Sequence, residues 1–513
     1  MKRGLAIVII AVMLLASGCK ANDVPAPGES AGEIEAKELN VQEKDAITDF
    51  ALTLLRKTHT ESGTVISPVS VIYALGVLAN GADSETLSEI TDTTGVGINE
   101  LNGFLKSYKA GLKSTEKTSA YIANSIWTNK NEMELKKEFE DLMKAHFDAQ
   151  IKSVEFSETV KEDVNNWVSE NTGGKIDGAL DYVSPEAVMY IINAVCFDGE
   201  WEKSFEPDST RVRAFTKEDG SSVNVPMMSG KEDMFIFGEN EKGFIKNYEN
   251  GNFSFIALMP NEGETIEQYL NTLSGEKLRT LIEGRTEQGG KVVLPKIKTE
   301  GSFEMNDLLK DMGIKSMFNV KRADFSQISD SKTFVNRFLH KVYINVDENG
   351  TQAAASTMVE SNQSAAEQVQ QPLEFTRPFI YMITDSESRQ PLFIGTYMGE
   401  GLSSTPKVQF TCGNTETKLY LGDGINEEQK IYTFEGGDSV WLSQLLADLE
   451  YSPDKLCKCL PEIKVDTEYK TGYGISLGET PYARCDEGQA DLTKEQAKRI
   501  AQIIENVKSG KVF

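Results

Sequence analysis

The first patterned stretch is a run of twelve residues, Leu5 to Ala16, all small or apolar and preceded by Lys2 and Arg3. It is too short to span a bilayer and has the length of a secretory leader core, so residues 1–18 are set apart from the fold. Between residues 20 and 43, Pro25, Pro27, Gly28 and Gly32 interrupt a polar stretch with few bulky apolar residues, which predicts a tether over 19–42. Helical spacing then begins near Ala46, with Ile47, Phe50, Ala51, Leu54 and Leu55 on one face. Pro68 suits the first turn of a second helix running to residue 79, capped by Ser67. Further along, 135–146 and 303–312 read as helices, the latter stopped by Gly313. Segments 121–127, 253–259, 291–294, 338–346, 379–383 and 391–397 read as strands. The run 188–197 is apolar without alternation, the signature of a strand covered on both faces. The mixture predicts an α+β domain built on a large sheet.

Between the strands at 338–346 and 379–383 lies a long stretch with no packing pattern, and long unpatterned loops in compact domains are usually functional. Its residues alternate in a telling way. Thr351, Ala353, Ala355, Thr357, Val359 and Ser361 share one parity, and Gln352, Ala354, Ser356, Met358, Glu360 and Asn362 share the other. As a strand, this segment would present one small, buriable face and one mostly polar face.

The segment Glu348-Asn349-Gly350-Thr351-Gln352-Ala353-Ala354-Ala355-Ser356-Thr357 resembles the reactive-loop hinge of inhibitory serpins. Asn193-Ala194-Val195-Cys196-Phe197-Asp198-Gly199-Glu200-Trp201, Val225-Pro226-Met227-Met228, Leu294-Pro295-Lys296, Ala323-Asp324-Phe325-Ser326, Arg377-Pro378-Phe379 and Pro391-Leu392-Phe393-Ile394-Gly395 are similar to landmarks of that family in order and spacing. The resemblance covers about residues 43 to 400. It implies a serpin fold over 43–402, with a large central sheet, further sheets, about nine helices and an exposed reactive-centre loop. It also implies a function: a suicide substrate for serine endopeptidases rather than an enzyme. The family's loop is cleaved and then inserts into the central sheet before the acyl-enzyme hydrolyses. The hinge would comprise Glu348, Gly350, Thr351, Ala353, Ala354, Ala355 and Thr357, small enough to insert, with Gly350 letting the backbone turn inward. Asn349, where the family usually has an acid, and Thr376 depart from its pattern. The alternative is a serpin without inhibition, acting as a binding or sensing module at the cell surface.

Family spacing from Glu348 places the scissile bond between Ser364 and Ala365, with Gln363-Ser364, Ala365-Ala366 and the acidic Glu367 as neighbouring options. Small residues there suit elastase-like or subtilisin-like proteases, and the absence of Lys and Arg between Thr351 and Gln371 argues against trypsin-like ones. Ser67, Ser70, Asn193 and His340 match the family's polar cluster beneath the parting strands, and Trp201 the tryptophan at the top of the sheet. Short hydroxyls, an amide and an imidazole are suited to exchanging hydrogen bonds as a gap opens. Satisfied core polar groups and ordinary tryptophan packing are the plainer readings of the same residues.

Charge and composition narrow the field further. The 53 basic residues against 79 acidic ones give a net charge of −26, which repels nucleic acid and anionic membranes. With only His59, His146 and His340, histidine-dependent catalysis is disfavoured. Gly474-Ile475-Ser476-Leu477-Gly478 satisfies the nucleophile-elbow pattern, but no histidine follows it, which argues against a hydrolase. No cofactor or metal is expected, and the protein is expected to be monomeric.

At the leader's end, Leu15-Ala16-Ser17-Gly18-Cys19 resembles the bacterial lipobox. The resemblance implies an exported protein held at the extracellular face of the membrane by a lipid on Cys19; an unlipidated signal peptide is the alternative. Beyond residue 403 the serpin resemblance ends. Strand-like segments at 408–412, 418–421 and 431–434, a helix at 441–449 and a helix from 493 to 507 opening on Thr493 and Gln496 predict a small α+β accessory domain over 403–513. It carries Cys412, Cys457, Cys459 and Cys485, which on an exported chain are disulfide partners, free thiols or zinc ligands. Cys196, within an apolar strand, reads as a buried thiol.

Overall fold

The computed structural model describes residues 34–112, 115, 117–147, 149–351 and 372–399, and within the C-terminal region 408–412, 430–434, 442, 445–446, 449, 463–466, 473–477, 480–485 and 488–508. Up to residue 399 the fold is α+β, with nine α-helices and two sheets among the described residues. A nine-stranded sheet gathers Pro391–Tyr397, Phe379–Asp385, Phe253–Pro260, Glu241–Asn247, Ser222–Phe237 and Thr286–Pro295, with shorter strands at its margins. The other sheet runs Ile297–Glu304, Arg337–Val346, Gly350–Thr351, Met189–Glu200, Thr118–Asn129 and Gln150–Val154.

Met189–Glu200 lies at the centre of this second sheet, and its continuous apolar run follows from cover on both faces. Tyr190, Ile192 and Ala194 pack with Val160, Val164, Trp167 and Val168 of the helix Glu158–Asn171. Residues of the other parity turn toward the helix Pro68–Ala79, whose twelve residues are all buried. Such a helix shows no polar stripe because it has no solvent face. Pro68 stands at its first position, as expected, but Ser67 does not cap it with its side chain.

The tether ends earlier than expected. Residues 34–40 are packed rather than free: Leu39 is buried and Ile34 rests against the main core. The Lys37 backbone N–H donates to the Gly103 carbonyl at 3.0 Å and the Lys106 ammonium to the Ile34 carbonyl at 2.6 Å. Gly103, in the helix Ile98–Gly111, makes room for this strap, since a Cβ there would fall 2.6 Å from that of Lys37. Two apolar residues and a few bonds to the backbone of Ile34 and Lys37 suffice, which composition averaged over 19–42 does not reveal. The first helix begins at Val41, five residues before the apolar face starts, because Asn40 and Glu43 close a capping box.

In the C-terminal region the strands Val408–Cys412, Lys430–Phe434, Ile463–Asp466, Tyr473–Ser476, Tyr482–Cys485 and Gly488–Asp491 form a six-stranded sheet, and the helix Lys494–Lys508 follows. Thr493 and Gln496 close the expected box, each side chain bonding the other's backbone N–H. Ile500, Ile503 and Ile504 pack on Ile463, Tyr473 and Ile475. Ser476 lies in a strand and not at a strand-to-helix turn, so Gly474 to Gly478 does not form a nucleophile elbow. Residues 418–421, Cys457 and Cys459 lie outside the described residues.

Candidate functional site

The strands Met189–Glu200 and Arg337–Val346 run parallel and are paired from Tyr190↔Arg337 to Cys196↔Tyr343. Beyond that point they part. Gly350–Thr351 fills the opening, antiparallel to both, with Thr351 opposite Val346 on one side and Gly199 on the other, and Gly350 opposite Glu200. Only glycine fits there, since a Cβ at 350 would lie 1.9 Å from the Gly199 carbonyl oxygen. Thr351 is fully buried and shares a 2.5 Å hydrogen bond with the Tyr248 hydroxyl. The six-stranded sheet therefore has a gap between neighbouring strands, and Gly350–Thr351, leading into the long loop, occupies its mouth.

This arrangement coincides with a match to a known family: residues 45–399 fit the family described as Serpin (serine protease inhibitor). The chain belongs to the serpin family. It is 32% identical to human neuroserpin over 387 residues, covering 69% of this chain and 91% of that protein. It is 28% identical to mouse alpha-1-antitrypsin 1-5, covering 68% and 86%. Among solved structures, the native state of the thermophilic serpin tengpin superposes with a TM-score of 0.67 at 35% identity, covering 71% of this chain and 96% of that one. Human thyroxine-binding globulin, solved in complex with thyroxine, shares the fold with a TM-score of 0.65 at 23% identity, covering 70% and 99%.

Lower in the serpin sheet, where the two strands are still paired, lies a closed polar network. His340 sits opposite Asn193, and Asn193 opposite Asn124 of Thr118–Asn129. The Ser67 backbone N–H donates to His340 Nε2 at 3.1 Å, so Nε2 is the acceptor and the ring's proton is on Nδ1, where it is donated to Asn193 Oδ1. The Asn193 amide donates in turn to Ser70 Oγ and Asn124 Oδ1, both at 2.5 Å. Complete burial holds the imidazole neutral and lowers its pKa to about 3. Ser67 Oγ is buried without a partner; its residue joins the network through the backbone. The four residues expected here, Ser67, Ser70, Asn193 and His340, are thus brought together, and Asn124 joins them. Its signal in the sequence was an amide on the same strand parity as Ile122 and Ile126.

At the top of the gap a second cluster holds the hinge. Glu348 is buried, accepting from Thr210 Oγ1 at 2.6 Å and pairing with Lys296 at 2.8 Å. Its carbonyl accepts the Phe205 N–H. Trp201 is buried, its indole N–H donating to the Asp347 carbonyl at 2.9 Å and its ring stacking on Tyr248 at 4.3 Å. The Lys246 ammonium lies 4.4 Å from the Phe205 ring centre and 5.3 Å from that of Trp201, bonded to Glu232 at 2.5 Å. Burial lowers the Lys246 pKa and raises that of Glu232, and the attraction between the two groups opposes both shifts. Thr210, Tyr248 and Asp347 were not expected as site residues, because polar partners from distant strands leave no local pattern.

Ala353, Ala354, Ala355, Thr357, Ser364, Ala365 and Cys19 lie outside the described residues. Cys196 is a buried free thiol whose Sγ lies 3.5 Å from the Thr172 carbonyl, with burial pushing its pKa up to about 12, so it is not a reactive cysteine.

Proposed function

We propose that the protein inhibits serine endopeptidases as a suicide substrate, its cleaved loop inserting between Met189–Glu200 and Arg337–Val346 and trapping the acyl-enzyme. The observation that carries this reading is Gly350–Thr351 at the mouth of the gap, already in strand register. In the proposed inserted strand Ala353, Ala355 and Thr357 would share the face of Thr351. About fifteen inserted residues, each gaining roughly 0.5–1.5 kcal/mol in ladder bonds, supply on the order of 10–20 kcal/mol. The proposed scissile bond is Ser364–Ala365, and the proposed targets are elastase-like or subtilisin-like enzymes outside the cell. Attachment of the exported protein to the membrane through a lipid on Cys19 belongs to the same reading.

Thyroxine-binding globulin, a structural neighbour solved with thyroxine, favours a second reading in which this chain is a non-inhibitory binding module. Mixing the protein with pancreatic elastase and with subtilisin separates the two. A complex that survives SDS supports trapping, and mass spectrometry of the released fragment assigns the bond. Cleaved product alone, melting at the temperature of the intact protein, overturns it.

A further inference from the structure

The C-terminal region meets the serpin fold beside the hinge. The helix Lys494–Lys508 packs Ile500, Ile503 and Ile504 into the core of its own sheet, while the Arg499 guanidinium donates to the Pro207 carbonyl at 3.0 Å. Pro207 opens the 3₁₀ turn Pro207–Ser209, which Thr210 closes. The residues at either end of this segment hold Glu348: the Phe205 N–H donates to its carbonyl at 2.9 Å, and Thr210 Oγ1 donates to its carboxylate at 2.6 Å. We propose that the C-terminal region is an internal regulator of the hinge, its helix bracing the turn at 207–210 through Arg499 and thereby keeping Glu348 in place.

One oxygen joins the two parts of this link. The Pro207 carbonyl also accepts the Thr210 N–H at 3.1 Å, the bond that closes the turn. A carbonyl oxygen has two lone pairs, so the guanidinium adds a bond without displacing the first, and a charged donor makes the stronger kind. A 3₁₀ turn has poorer hydrogen-bond geometry than an α-helix, and an exposed turn such as this one opens readily by itself. A brace on its carbonyl lowers that opening. Thr210 is buried and supplies the hydroxyl that bonds Glu348, so what steadies the turn also steadies the hinge. The path from helix to hinge is contiguous: Arg499 to Pro207, Pro207 to Thr210, Thr210 to Glu348. It concerns the hinge alone and stands whether or not the protein traps a protease.

Hydrogen exchange of the full chain at pH 7, read by mass spectrometry, tests this with Arg499→Met, which keeps the aliphatic stem and removes the donors. Peptides covering 205–211 and 345–351 are both expected to lose about two- to fivefold in protection. Thr210→Val removes the hydroxyl and should lower protection at 345–351; adding Arg499→Met to it should then lower 205–211 but leave 345–351 unchanged, because the link is already cut. Peptides across 473–485 report whether the C-terminal sheet is intact, and whichever of Arg499→Met and Arg499→Ala leaves them at wild-type protection is the variant read. Wild-type protection at 345–351 in that variant overturns the proposal, whether or not 205–211 changes. A loss at 345–351 that simply adds to that of Thr210→Val overturns it as well.

Discussion

Replacing Asn193 by alanine strikes the network where the strands Met189–Glu200 and Arg337–Val346 are still paired. The amide accepts from His340 and donates to Ser70 and Asn124, and Asn193, His340 and Ser70 are fully buried. Truncation strands the His340 Nδ1–H and the Ser70 hydroxyl, while the partly exposed Asn124 is free to turn to water. Each buried orphan costs about 1–3 kcal/mol, so a loss of about 3 kcal/mol is expected after local relaxation. For a unit the size of residues 45–399 the unfolding entropy is about 0.75 kcal/mol per kelvin, which converts the loss into a fall of about 4 °C in the melting midpoint. Circular dichroism melts of intact wild type and N193A at equal concentration measure it. Ser70→Ala, which keeps the strand-to-strand His340 bond, is expected to lose less. A shift below about 1 °C for N193A, or a larger one for S70A, would refute the view that this amide is the centre of the network.

Three further outcomes are expected. Thr351→Arg places a guanidinium in a fully buried slot between two strands, at a cost of several kcal/mol, so elastase or subtilisin should cleave the variant without forming an SDS-resistant complex. His340 is neutral when folded, with its pKa depressed to about 3 against about 6.5 unfolded, so its stabilisation is complete above pH 6.5 and is lost as the pH falls toward 3. Between pH 7.5 and 5 the loss is about 2 kcal/mol, and denaturant titrations of His340→Gln should lack that component while keeping the opposite, acid-favoured slope from Asp347. Gly103→Val forces a side chain into the Lys37 strap, and limited proteolysis should then cut within 34–40 faster than in wild type, with about 1–2 kcal/mol less stability.

Much of the fold was legible because burial leaves a periodic mark. The strand expected at 391–397 occurs as Pro391–Tyr397, that at 408–412 as Val408–Cys412, and the helix stopped by Gly313 ends there with φ at 122°. Local patterns failed where polar residues start an element or where bonds outweigh composition. Val41 and Gln42, which open the helix Val41–Thr58, fall within the expected tether because Val41 is exposed and the residues after it are polar, and the strap at 34–40 is held mostly through its backbone. The edge strand Gln150–Val154 has no apolar alternation to announce it, since none of its residues is buried.

The amino-acid order alone determined which segments bury a face, where a family resemblance begins and ends, and that 351–357 carries side chains small enough to enter a sheet. Only the tertiary structure decided that Met189–Glu200 and Arg337–Val346 part after Cys196 and Tyr343, that Thr351 sits in the opening, and that Asn124, Thr210, Tyr248 and Lys296 complete the two clusters. The physical reason is range. Periodicity reports the local choice between core and solvent, whereas each of these contacts joins residues far apart in the chain, which only the packing of strands and helices brings within hydrogen-bonding distance.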